Sequence, residues 1–180
     1  MKVFVFLANG FEEIEAIAPI DIFRRAGMEV ITVSISEEKE VRGAHGIPVI
    51  ADTLFSDMDF TRNDLLYLPG GMPGTKNLDE NDELKLLINN QIEANKPLAA
   101  ICAAPSILGK MGLLEGKEAI CYPGFEQYLT GAILSDQKIV KAGNIFTAKG
   151  AGVAIPFALR LVEEFKGKEI AVNLANSICY

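Results

Sequence analysis

Leu98-Ala99-Ala100-Ile101-Cys102-Ala103-Ala104-Pro105 is the stretch that decides the fold. Its apolar residues do not alternate with polar ones, the pattern of a strand covered on both faces, and Pro105 suits the first turn of a helix. A covered strand passing straight into a helix is the repeating unit of a parallel α/β sheet.

The pattern recurs outward. Residues 2–8, 28–35 and 64–68 read as further covered strands, with 117–122, 139–142 and 145–147 as later ones, the last pair turning at Gly143-Asn144. Helices are expected over 12–27, 81–94, 103–112, 153–165 and 168–177, with a short one over 125–130. In the first helix Ile14, Ile17, Ala18 and Ile22 recur at helical spacing. Pro19 lies inside that helix and has no N–H to give to the carbonyl of Glu15, so a kink is expected there. Residues 37–51 read as a polar hairpin-like excursion, and Pro69-Gly70-Gly71-Met72-Pro73-Gly74 as a rigid loop. The expected fold class is an α/β sandwich, a mainly parallel sheet with helices on both faces, in a single domain spanning residues 1–180.

Composition narrows the function. The net charge of −7, from 24 acidic and 17 basic residues without a basic run, argues against nucleic acid. No apolar run approaches the roughly 18 residues that cross a bilayer, so no membrane is expected and a cytoplasmic protein is. Three widely spaced cysteines and a single histidine, His45, give neither a disulfide framework nor metal-ligand spacing. His45 reads as a surface residue.

Ligands of such sheets collect outside the carboxyl ends of the strands. Three turns fall there: Asn9-Gly10 to Glu15, Gly70-Gly71, and Cys102-Ala103. Cys102 has small neighbours that permit a sharp elbow, and a helix N-terminus behind it is expected to lower the thiol pKa below ~8.5. The N–H groups of Gly71 and Ala103 could converge on an oxyanion. Glu15, partly desolvated beside the thiol, would have a raised pKa and could move a proton. Packed cysteine, ordinary glycine turn and solvated helix start (Glu12, Glu13, Glu15) stand as the plainer alternatives. The loop has neither phosphate-binding glycine spacing. No histidine is available for a hydrolytic triad, since Cys121-Tyr122-Pro123 occupies the next candidate position.

Ala8-Asn9-Gly10-Phe11-Glu12-Glu13-Ile14-Glu15, Leu68-Pro69-Gly70-Gly71, Ala99-Ala100-Ile101-Cys102-Ala103-Ala104-Pro105 and Thr147-Ala148-Lys149-Gly150 together resemble the ThiJ/PfpI family over nearly the whole chain. The resemblance implies a flavodoxin-like three-layer sandwich of the class I glutamine amidotransferase-like superfamily, a homodimer, and no cofactor. Arg24-Arg25-Ala26-Gly27 is similar to a helix ending near that dimer interface. It further implies that Cys102 is the oxidation-prone cysteine, Glu15 the carboxylic acid bonded to it, and Gly71 with Ala103 the oxyanion side. The activities it implies are glyoxalase III or deglycase chemistry on small-molecule carbonyl substrates, redox sensing or chaperone action, and proteolysis. Some members carry a histidine where Tyr122 aligns here, and its absence weighs against the protease and the full glyoxalase arrangement.

Overall fold

The first strand, β1 (Lys2–Leu7), is buried on both sides: Val3, Val5 and Leu7 enter one core, Phe4 and Phe6 the other. The structure, a computed structural model, describes all residues 1–180. After β1 come α1 (Glu13–Arg25), β2 (Glu29–Ser34), the hairpin strands β3 (Glu40–Arg42) and β4 (Pro48–Ile50), and β5 (Thr53–Leu54). Next are β6 (Leu65–Leu68), α2 (Gly74–Asp79), α3 (Asp82–Glu93), β7 (Leu98–Ile101) and α4 (Pro105–Lys110). The chain ends with β8 (Glu118–Ala119), β9 (Ile133–Leu134), β10 (Ile139–Ala142), β11 (Ile145–Ala148), α5 (Ala154–Lys166) and α6 (Lys168–Ser177).

Seven strands form the main sheet in the order β10-β11-β7-β6-β1-β2-β5, parallel except where β10 runs against β11. Helices α1, α5 and α6 cover one face around Phe23, Tyr67 and Phe157; α2, α3 and α4 cover the other around Phe4, Leu84 and Ile107. This is the expected three-layer α/β sandwich, and its covered strands explain their uniformly apolar sequence. Local signals set the boundaries: the Asn81 side chain accepts from the Leu84 N–H at 2.8 Å to start α3, and Gly27, at φ +69°, closes α1.

Four expectations are corrected. The helix expected over 103–112 shrinks to Pro105–Lys110, because Cys102 takes a left-handed backbone and a turn intervenes. The strand expected over 117–122 keeps only Glu118–Ala119, paired with β9 in a separate two-stranded sheet. The short helix expected over 125–130 is a single 3₁₀ turn, Glu126–Tyr128; α2, not among the expected helices, follows directly on the glycine loop. The inner face of α1 is also different: Ile14 and Ile17 are 54% and 42% exposed, whereas Glu13 and Glu15 are buried with Ala16, Ile20 and Phe23. The helix is rotated so that two carboxylates, not two isoleucines, face inward.

Candidate active site

Main-chain hydrogen bonds stitch the turn after β1 to the turn after β6, and tie the turn after β7 to the end of β11 and to Tyr122. Glu12 N–H donates to Gly70 O at 2.9 Å, and Gly74 N–H to Gly10 O at 3.0 Å. Cys102 N–H donates to Ala148 O at 2.9 Å while its carbonyl accepts from Tyr122 N–H at 2.7 Å. These bonds on either side hold Cys102 at φ +65°, a conformation that costs a non-glycine residue about 1 kcal/mol or more. The side chain is thereby turned out of the strand and left partly accessible.

Glu15 is fully buried. Its Oε2 accepts the Gly70 N–H at 2.9 Å, and its Oε1 has no partner of regular hydrogen-bond geometry. The Cys102 thiol is the group beside it: the two shift each other by hydrogen bonding and charge. Burial raises the Glu15 carboxyl from 4.5 to about 7, against the opposing pull of hydrogen bonds to Cys102 and Gly70. Burial first, and then the Glu15 charge, push the thiol up to about 12, although the N–H groups of Gly71 and Ala103 favour charge on sulfur. The expected lowering of the thiol pKa is therefore corrected. Helix α4 begins only at Pro105 and is six residues long, too weak an influence to offset a buried carboxylate. Near neutral pH the pair carries at most one negative charge, and Cys102 becomes a thiolate by passing its proton to Glu15.

Since the folded Glu15 carboxyl titrates above its ordinary 4.5, the native state binds a proton that the unfolded chain has released, between pH 4.5 and about 7. Stability therefore falls as pH rises through that window. Glu15→Gln is expected to stabilise the protein on the order of 3 kcal/mol at about pH 8 and to give no gain at about pH 4. Urea unfolding at the two pH values checks this. An equal effect at both would show that burial of charge is not its origin.

The structure brings Cys102, Glu15, Gly71 and Ala103 to one cavity of about 330 Å³, which Tyr122, Met72 and Phe125 also line. Tyr122 is 50% exposed and its ring lies against Gly150. Glu12 lines the cavity as well, and its charge adds to the upward shift of Glu15. Glu13 is not the solvated carboxylate expected at a helix start: it accepts from His45 N–H at 2.8 Å, from His45 Nδ1 at 2.9 Å and from Ile47 N–H at 3.4 Å. Burial acts to raise its pKa, and the hydrogen bonds from His45, Ile47 and its own main-chain N–H together outweigh this and hold it low. His45 is exposed as expected, yet it clasps the β3–β4 turn to α1. Glu12, Glu13 and His45 have donor atoms within 4.8 Å of one another, but the Glu13 oxygens are already occupied by N–H groups.

A model of the DJ-1/PfpI family matches residues 1–164. Two Arabidopsis thaliana proteins, DJ-1 homologs B and A, are 38% and 40% identical over 98% and 97% of this chain, which spans 41% and 45% of their lengths. A Caenorhabditis elegans relative named glutathione-independent glyoxalase DJR-1.2 is 31% identical, covering 93% of this chain and 90% of its own. Among solved structures, a cysteine-to-alanine variant of a DJ-1 superfamily protein from Salmonella typhimurium superposes with TM-score 0.95 at 34% identity, over 99% of this chain and 98% of its own. Oxidized DJ-1 of Toxoplasma gondii does so with TM-score 0.95 at 36% identity, over 99% and 98%.

Proposed function

The chain belongs to the DJ-1/PfpI family, and on that premise we propose that it is a cysteine-dependent enzyme for small reactive carbonyls such as methylglyoxal and its early adducts with thiols and amines. The observation that carries the reading is a buried carboxyl poised near neutrality beside a partly accessible thiol, in a cavity sized for a small molecule. A base with a pKa close to the working pH is the efficient one for moving protons in both directions. The nematode relative's name supports the same chemistry.

In this reading the Cys102 sulfur bonds to the aldehyde carbon as its proton passes to Glu15. The developing alkoxide is held by the N–H groups of Gly71 and Ala103, then takes that proton to give a hemithioacetal. The Glu15 carboxylate next removes the hydrogen from the former aldehyde carbon, giving an enediolate with its charge on the neighbouring oxygen, and returns a proton to the adjacent carbon as the hydroxyl proton passes from the first oxygen to the second. The product is a 2-hydroxyacyl thioester. Water cleaves it, the thiol regains its proton, and the net change is an internal oxidation of one carbon and reduction of its neighbour. Tyr122 borders the cavity where some family members carry a histidine.

The test is conversion of methylglyoxal to lactate by the purified protein without glutathione, run in D₂O. Solvent deuterium at C2 of the lactate is expected, because the proton passes through an exchangeable carboxyl. Absence of lactate overturns the reading, and lactate without deuterium overturns the role of Glu15.

A second reading, a peroxide sensor, draws on the accessibility of Cys102 against the burial of Cys121 and on the oxidized structure of the Toxoplasma relative. Mass spectrometry after mild peroxide treatment separates the two. A sensor requires Cys102 to oxidise well ahead of Cys121 and Cys179 in protein that makes no lactate.

A further inference from the structure

Pro19 lies four residues after Glu15 in α1, so the main-chain carbonyl of Glu15 loses the donor that an uninterrupted helix supplies. A buried carbonyl without a partner costs about 1–3 kcal/mol. The structure supplies a replacement from another element: the Tyr67 hydroxyl, on β6, donates to Glu15 O at 3.0 Å. Tyr67 is completely buried, the largest such side chain in the molecule, with its ring edge-on to Phe23 at 5.8 Å and tilted against Phe157 at 6.0 Å. Phe157 belongs to α5 and Tyr67 itself to a central strand of the sheet, so the hydroxyl is held in place by elements other than the first turns of α1.

The arrangement joins two fixed points. Three residues beyond Tyr67 on the same strand and its turn, the Gly70 N–H donates to the Glu15 side chain. One strand-turn segment thus grips Glu15 at both its main-chain carbonyl and its carboxylate.

We propose that Tyr67 is a positioning residue for the Glu15–Cys102 pair, fixing the first turns of α1 through the carbonyl that Pro19 leaves open. The proposal rests on Glu15 being the proton-carrying group of the site. Charged and titratable groups around that carboxyl are Glu12 on its own segment, Cys102 after β7 and Tyr67 itself, with His45 reaching the site through Glu12. Loosening the carbonyl anchor lets the carboxyl shift from the thiol and toward solvent, which weakens their coupling.

The experiment follows alkylation of Cys102 by iodoacetamide against pH in the full chain, with exposed Cys179 as the internal standard. Tyr67→Phe is expected to move the inflection that belongs to Glu15 toward the ordinary carboxylate range by about half a unit, changing the Cys102 rate near pH 7 by about threefold. The Cys179 rate stays unchanged. Adding Pro19→Ala restores a main-chain N–H in register with the Glu15 carbonyl, so the double variant is expected to return to the wild-type profile. A Tyr67→Phe profile that coincides with wild type, or a double variant as displaced as the single one, overturns the proposal. If Tyr67→Phe alone does not fold, the double variant still decides. A wild-type profile in it supports the carbonyl as the point of action, and failure to fold assigns Tyr67 to packing alone and overturns the positioning role. Because the readout is alkylation, a protein that makes no lactate tests the proposal equally well.

Discussion

Cys102→Ser is expected to lower methylglyoxal turnover by at least about 10³-fold while leaving the thermal midpoint within about 2 °C of wild type. Serine is nearly isosteric, and the main-chain bonds from Cys102 to Ala148 and Tyr122 are indifferent to the side-chain atom. What is lost is acidity and nucleophilicity. A hydroxyl is a far weaker acid than a thiol, and Glu15, at about 7, is too weak a base to withdraw its proton. The residual rate comes from the cavity and from the Gly71 and Ala103 N–H groups, which remain. Initial rates with lactate quantified as product decide the matter, and a variant within tenfold of wild type would remove Cys102 from the chemistry.

The second large effect is expected from a residue with no functional group. A Cβ added at Gly70 would sit 2.5 Å from Glu15 Oε2, 2.6 Å from Cys102 Cβ and 2.9 Å from the Ile101 carbonyl. Oε2 ends a side chain, but one that is fully buried and bonded to the Gly70 N–H, and the other two are a Cβ and a main-chain oxygen, so Glu15 and Cys102 must separate or the β6 turn must withdraw. Overpacking of this kind costs about 1–3 kcal/mol, and a displacement near 1 Å at reacting groups costs about 10²-fold in rate. Gly70→Ala should therefore lose about 10²-fold in turnover and several degrees in thermal midpoint. Gly152→Ala, where a Cβ meets nothing within 4 Å, serves as the control and should change neither. Wild-type turnover in Gly70→Ala would mean that the close approach of β6 to the pair has no part in catalysis.

The sheet was readable because strands covered on both faces carry an unmistakable apolar run, as in β1 and β7. Placement of Glu15, Gly71, Cys102 and Ala103 at one edge followed from parallel topology alone, since each lies just past a strand of that sheet. The facing of α1 was not readable. Ile14 and Ile17 have the spacing of a core stripe, and what turns them outward is the fit of Glu13 under the β3–β4 turn and of Glu15 beside Gly70. Both partners are remote in sequence. The sign of the Cys102 shift failed for the same reason, because burial and a carboxylate from another segment outweigh the local helix end. Tyr67 left one signal that went unused. Pro19 announced an open carbonyl at Glu15, and a tyrosine within a buried strand announced a hydroxyl needing an acceptor.

The outermost strands of the sheet bear on how the chain meets copies of itself. At one margin β5 offers two residues of ladder, and at the other β10 is packed against β8. A newcomer strand thus finds little backbone to pair with, the condition under which native sheets resist sideways growth into aggregates. The main sheet is therefore a poor template for sideways extension, and the isoleucines displaced from the α1 core are exposed on the outer face of that helix.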